Sequence, residues 1–339
     1  MRVLVTGGAG YIGSTLLRML LDQGFEVICL DRLFFGKKPI EDIMDDPNFT
    51  LVKDDIRWFD PKIMDGVDVI VDLAALSNDP SGELDPSKTY DINYLGRIRV
   101  ARLGKEYNVV RYIFASTCSV YGFQKEIVNE NSNLNPLTTY AKSAALAEKD
   151  LLPLSNHKFS VTILRFATVY GLSYRMRFDL VVNAMVLSLF RRGKIMVGGD
   201  GMQKRPLVHV KDVCRAILRV IDADKDLVNG QIFNVGSNDQ NFRILDLAHM
   251  IGKAIGEPYE IEFYGDPDRR SYEVDFSKIG NVLNYRTKFT VEDAAREIYD
   301  ALRDGRVTDE PTTITVKWYK YLLKIHRLLK DIEKNGRIL

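Results

Sequence analysis

A short β-branched run, Arg2 to Thr6, leads into Gly7-Gly8-Ala9-Gly10-Tyr11-Ile12-Gly13, and an apolar helical pattern follows through Leu16, Leu17, Leu20 and Leu21. Strand, glycine turn and helix in that order make a cradle for phosphates. Gly8, Gly10 and Gly13 satisfy G-x-G-x-x-G, and Gly7, Gly10 and Gly13 satisfy a wider G-x-x-G-x-x-G. Glycines at these spacings allow a tight turn, let the backbone approach a pyrophosphate, and let the helix pack closely on the strand with its N-terminus toward the phosphates. A second strand, Glu26 to Leu30, ends in Asp31, 18 residues after Gly13. A carboxylate there can accept hydrogen bonds from both hydroxyls of an adenosine ribose and would repel a 2′-phosphate, which favours NAD over NADP.

The elements that would position these groups alternate along the chain. Strands are expected near Phe49 to Lys53, Val67 to Asp72, Val109 to Ala115 and Ser160 to Arg165, and Phe233 to Gly236 returns the chain to the sheet. A helix is expected from Lys88 to Tyr107. Strands alternating with helices give an α/β fold with a Rossmann-type doubly wound parallel sheet. No repeat or low-complexity linker interrupts the 339 residues, so a smaller substrate domain is expected to be interleaved with the first rather than appended.

Composition narrows the partners. Forty-seven basic and 46 acidic residues leave a net charge of +1, which gives no overall field for nucleic acid or an anionic membrane. Cys29, Cys118 and Cys214 form no C-x-x-C pair, so neither a disulfide framework nor a metal site is expected, and a reducing cytoplasm is the expected home. No run approaches the length and apolarity of a membrane span, and no export signal precedes the first strand. Lys317 to Arg337 is basic and amphipathic, and is expected to pack on the body or remain solvated.

Three further blocks carry a resemblance. Ser116-Thr117-Cys118-Ser119-Val120-Tyr121-Gly122 resembles an S-S/T-x-x-V-Y-G block. Pro136 to Glu148, PLTTYAKSAALAE, resembles a Y-G/A-x-S-K frame with its later glutamate. Val197 to Val213 resembles G-D-G-x-Q-x-R-x-F/L-V-H-V-x-D-V. With the glycine loop, these resemble the extended short-chain dehydrogenase/reductases, the NAD-dependent nucleotide-sugar epimerases and dehydratases, in the family's order from residue 1 to about 305. The resemblance implies that Tyr140 is the general base and that Thr117 bonds the reacting sugar oxygen. It also implies adenine contacts from Asp55 and Ile56, a turn beside the pyrophosphate and ribose from Leu73, Ala74 and Ala75, and an Asn93 that braces the central helix or lies near the nicotinamide. Ser119, Thr168, Asn183 and Arg205 would meet the nucleotide-diphosphate sugar, with Arg269 or Arg270 capping its diphosphate. His209 is expected to be structural. The implied domains are 1–170 plus about 205–237 for NAD, about 171–204 plus 238–310 for the nucleotide sugar, and a helical extension over 311–339. A homodimer through the helices carrying Asn93 and Tyr140 is also implied.

One position departs from the frame. The family's lysine stands four residues after the tyrosine, where this chain has Ala144. A phenol titrates near pH 10, so the site must lower its pKa with adjacent positive charge. Lys142 is no substitute, because on a helix two residues turn about 200°, to the opposite side. The loss should impair turnover more than binding. With everything around it intact, Ala144 is read as an introduced change rather than drift in a pseudoenzyme.

Cys118 and Ser119 stand where dehydratases carry an acid and a base, and decarboxylases tend to carry glutamate at the second position. Both branches are therefore disfavoured, leaving oxidation and re-reduction at one carbon, an epimerase and hence an isomerase. The alternatives are a nucleotide-sugar dehydrogenase or ketoreductase, a dehydratase, a short-chain dehydrogenase of a small hydroxy compound, and an NAD-binding pseudoenzyme.

Overall fold

The computed structural model describes residues 1–266, 271–334 and 337. Seven parallel strands form the central sheet, in the spatial order Gln231–Val235, Ser160–Phe166, Arg111–Thr117, Val69–Asp72, Arg2–Thr6, Glu26–Asp31 and Phe49–Lys53. The chain starts in the middle, builds outward through two strands, then returns to the other side of Arg2–Thr6 and builds the opposite way. Val3 accordingly pairs with Val27 on one side and Val69 on the other. Such a reversal opens a crevice at the carboxyl ends of the strands, where ligands of doubly wound sheets bind.

The strands are apolar along their whole length because helices cover both faces. Against one face, Leu16, Leu17 and Leu20 of the helix Tyr11–Asp22 share a core with Val213, Ile217 and Ile221 of the helix Val210–Asp222. Each fully buried leucine contributes about 1.5–3 kcal/mol. Against the other face, Ile98 and Ala101 of Arg97–Glu106 pack with Ala147 and Leu151 of Thr139–Leu151. A separate core joins Val182 and Met185 of Val181–Arg192, Leu247 and Ile251 of Ile244–Ile255, and Ile298 of Val291–Arg303.

One element differs from expectation. The single helix expected over Lys88 to Tyr107 is Pro86–Tyr90, a π-helical turn Asp91–Gly96, and Arg97–Glu106. The wider turn places Asn93 inward, where its side chain clasps the backbone of Leu76: Oδ1 accepts from Leu76 N at 2.8 Å and Nδ2 donates to Leu76 O at 3.2 Å. The basic C-terminal segment is the helix Thr315–Ile332, of which only Thr315 is buried. Its first turn docks on the body through Trp318 Nε1, which donates to Phe34 O at 2.6 Å, and the rest is largely exposed. No described helix is long and apolar enough to cross a membrane.

Candidate active site

A cavity of about 1240 Å³ opens at the carboxyl ends of the central strands. This exceeds the usual volume for one small ligand, about 300–1000 Å³, and suits a dinucleotide beside a second nucleotide. Its inner end is the glycine turn. Gly7 has φ +68°, and a Cβ there would lie 2.9 Å from the Ala74 backbone, while a Cβ at Gly13 would lie 2.5 Å from Gly7 O. Bare backbone is therefore required where Gly7, Gly10, Tyr11, Ile12 and Gly13 face the cavity, as a phosphate cradle needs. Leu73, Ala74 and Ala75 form the opposite lip, and Asp31, Asp55 and Ile56 line the far end.

Asp31 is held by the N–H groups of Leu33 and Ala9, at 2.7 and 3.0 Å. Burial pushes its carboxyl upward, partly offset by those donors and by the charge of Arg175. Arg32, the nearest candidate for a 2′-phosphate, is turned toward Asp55 at 3.5 Å. The cradle and the ribose carboxylate thus fit NAD.

The reactive end is built from two elements. Thr117 ends its strand and caps the following turn, its Oγ1 accepting from Ser119 N at 3.1 Å. Tyr140 sits in the first turn of Thr139–Leu151, whose Thr138 cap accepts from Ala141 N at 3.2 Å. The buried Glu148 of the same helix pairs with Arg165 at 2.6 Å and accepts from the Ser116 hydroxyl, which ties the helix to the sheet and fixes the height of Tyr140. Thr117, Ser119, Tyr140, Thr168 and Arg205 all line the cavity.

Burial raises the Tyr140 phenol above its ordinary 10.0, and Asp79 adds to this, while the Thr117 hydroxyl, Arg97 and Arg177 pull it down without cancelling the rise. Ala144, 6% exposed, is packed in the apolar core and contributes nothing to the cavity wall. Lys142 is exposed on the other side of the helix, beside Tyr90, Ala145 and Leu146. Among the described residues, the positive charges that act on the phenol are thus arginines, with no lysine.

Several expected contacts are placed elsewhere. Asn93 lies behind the Leu76 turn and does not line the cavity. Asn183 is fully buried and spends its amide inside the protein: Oδ1 accepts from Gly171 N at 3.0 Å, and Nδ2 donates to Arg177 O at 2.9 Å and Tyr11 Oη at 3.1 Å. Both asparagines are internal braces of ligand-facing loops rather than ligand contacts, because an amide facing backbone N–H and C=O is satisfied there. Arg205 reaches the cavity with its guanidinium 5.7 Å from the Tyr272 ring. Arg269 and Arg270 lie outside the described residues. His209, fully buried, stacks on Phe289 at 4.6 Å and its Nδ1 accepts from Lys211 N. Cys118 is 1% exposed, with burial pushing its thiol far up and its Sγ directed at Arg165 O, so it has no access to a ligand. Among the described residues no cluster could hold a metal.

The structure also brings in residues that no motif marked. Arg177 is buried against Asp179 at 2.9 Å, Asp179 accepts from Asn78 Nδ2 at 2.8 Å, and all three line the cavity. Burial opposes ionisation of Asp179, but Arg177 outweighs it and holds the carboxyl below its usual range. Arg97, paired with the buried Asp72 at 3.2 Å, approaches from the sheet side. Tyr272 closes the wall beside Ser119.

With this geometry in place, comparison with known proteins defines the class. The sequence profile of the "NAD dependent epimerase/dehydratase family" matches residues 3–236. The chain belongs to that family, and NAD is its cofactor. It is 30% identical over 311 residues to an uncharacterized UDP-glucose epimerase of Bacillus subtilis, covering 86% of this chain and 95% of that one. It is also 29% identical to UDP-glucuronic acid decarboxylase 1 of Arabidopsis thaliana, covering 91% of this chain and 71% of the relative. Among solved structures, the dTDP-glucose 4,6-dehydratase DesIV of Streptomyces venezuelae, with NAD bound, superposes with a TM-score of 0.80 at 27% identity, covering 92% of this chain and all of that one.

Proposed function

We propose that this chain is a nucleotide-sugar epimerase-like isomerase, and that Ala144 limits its rate. The observation that carries the reading is the cavity itself, in which Tyr140 and Thr117 share a wall while Cys118 is buried and Ser119 offers only a hydroxyl. A dehydratase or decarboxylase needs an additional acid or base beside the sugar, and the two residues after Thr117 supply none. NAD, when bound, accepts a hydride from the sugar carbon and returns it.

The chain's own groups do the rest. Tyr140 takes the hydroxyl proton of the carbon being oxidised and gives it back on reduction. Thr117 orients that oxygen through a hydrogen bond. Ser119 and Thr168 face the sugar region, and Arg205, a planar fork, suits a diphosphate. Arg97 and Arg177 supply the positive charge that remains, but each is paired with a carboxylate and so offers the phenolate less than a free ammonium would.

The substrates to test first are UDP-glucose and UDP-glucuronic acid, since relatives are named for them. The expected outcome, followed by product mass and sugar stereochemistry, is an isomer of unchanged mass with no net NADH. Stoichiometric NADH would instead mark a dehydrogenase, loss of water a dehydratase, and binding without any product a pseudoenzyme. We further propose a cytoplasmic homodimer through the two helices behind the site, where Leu95 and Leu146 are 54% and 40% exposed. Light scattering should give twice the 38.6 kDa of the chain, and the monomer mass would refute it.

A further inference from the structure

Arg175 is 5% exposed, yet among the described residues no carboxylate lies within ion-pair distance of it. Its Nε is buried without a hydrogen-bond partner. Its Nη2 donates to Thr312 O and Thr315 Oγ1, both at 3.1 Å, and its guanidinium stacks 3.6 Å above the Phe35 ring. An unpaired buried cation is costly, and proteins keep one where an anion completes it. Burial, together with the neighbouring charge of Arg177, pushes this guanidinium down to about 10, a fall that the more distant Asp179 opposes without cancelling.

The position of Arg175 says which anion. Its backbone N–H donates to Ser14 Oγ at 3.3 Å, in the first turn of the helix whose N-terminus follows the glycine loop. Phe35 follows the Asp31 strand end, and Arg175 acts electrostatically on Asp31 itself. Both Arg175 and Asp31 line the cavity. Arg175 thus stands beside both the ribose carboxylate and the helix that follows the phosphate cradle.

We propose that Arg175 binds the diphosphate of the dinucleotide cofactor, and that the start of the C-terminal helix is the clamp that aims it. Thr312 and Thr315 fix the guanidinium from behind, leaving Nε for an incoming oxygen, while Trp318 and Tyr319 seat the helix on Phe34 and Phe35. This gives the basic C-terminal segment a ligand-binding role. The inference rests on NAD as the cofactor.

The test is calorimetric titration of the full chain, freed of any co-purified nucleotide, with NAD, ADP, adenosine and UDP. Arg175→Met should weaken ADP by about 10- to 100-fold, the loss of one charge-assisted contact, and leave adenosine and UDP unchanged. Thr315→Val keeps the charge and loosens its hold, so it should weaken ADP alone, by about 2- to 5-fold. Arg175→Lys should fall between the parent and Arg175→Met, since an ammonium keeps charge without the fork. ADP affinity unchanged in Arg175→Met overturns the proposal, as does an equal loss for adenosine in Arg175→Met and Thr315→Val alike, which would leave no effect specific to the diphosphate. A loss for UDP in place of ADP would assign Arg175 to the sugar nucleotide's diphosphate and overturn it too. If the parent chain itself ignores both ADP and NAD, the cofactor assignment fails and the proposal with it; parental binding with no effect of Arg175→Met removes only the role of Arg175.

Discussion

Replacing Ala144 by lysine is expected to raise turnover of the productive nucleotide sugar by about 10- to 1000-fold at pH 7, with cofactor affinity improved by less. The expected gain is electrostatic. Position 144 is one helical turn from Tyr140 and shares its face. An ammonium a few ångströms from the phenol favours the phenolate by about 1–3 pKa units, and near neutral pH each unit is a tenfold gain in the reactive form. Tyr140 now lacks that help, and burial together with Asp79 keeps its proton on. The substitution carries a packing cost, because Ala144 sits among apolar side chains and lysine must run past them to the cavity. That cost should be about 1–3 kcal/mol, visible as a lower Tm. Steady-state rates with UDP-glucose and UDP-glucuronic acid check the gain, and no gain would show that the missing lysine is not what limits this chain.

Tyr140→Phe should remove the activity the parent chain retains, by about 100- to 10000-fold, the usual worth of a positioned general base. NAD affinity should change little, since the ring is kept and the Cβ and backbone that pack against Gly82 are untouched. The two substitutions should also fail to add. In a chain that already carries Tyr140→Phe, Ala144→Lys has no phenol to ionise, and its gain should vanish. A gain that persists there would give the lysine a role independent of Tyr140, such as holding the nicotinamide ribose. Single-turnover hydride transfer, read as nicotinamide absorbance, separates the two cases from effects on product release.

The cofactor half of the site was legible because its signals are local. Gly7, Gly10 and Gly13 lie within one turn, and Asp31, Asp55 and Leu73 to Ala75 each follow a strand at its carboxyl end, so a correct reading of strands places them together. Thr117 and Tyr140 were legible as motif members, although the strand runs on to Thr117 rather than ending at Ala115. What was not legible comes from elements far apart in sequence. Arg97 with Asp72, Arg177 with Asp179 and Asn78, and Tyr272 beside Ser119 are pairings made only by the fold. Asn183 shows the converse, while Asn93 takes the bracing one of its two expected roles. An asparagine in a ligand-facing block can be read as a contact, but no sequence pattern reveals that its amide is already used by Leu76 or Gly171. The C-terminal helix, basic and amphipathic, was expected to pack on the body or remain solvated, and its sequence did not say which part would do which. Its N-terminal end reaches the cavity through Val316, Lys317 and Tyr319, and Tyr319 is buried enough there for its phenol to be pushed up to about 12.

On the proposed function, the site is whole apart from a positive charge beside Tyr140. The pH dependence of single-turnover hydride transfer, measured in the parent chain and in Ala144→Lys, tests it most directly. The base must be deprotonated, so the rate climbs with pH until it passes the pKa of Tyr140. In the parent chain that climb should continue through the alkaline range, because the phenol is held above its ordinary value. In Ala144→Lys the same climb should level off at least about one pH unit lower, with the two rates converging at high pH. Superimposed profiles would contradict the claim, because the ionisation that limits the chain would then be independent of position 144.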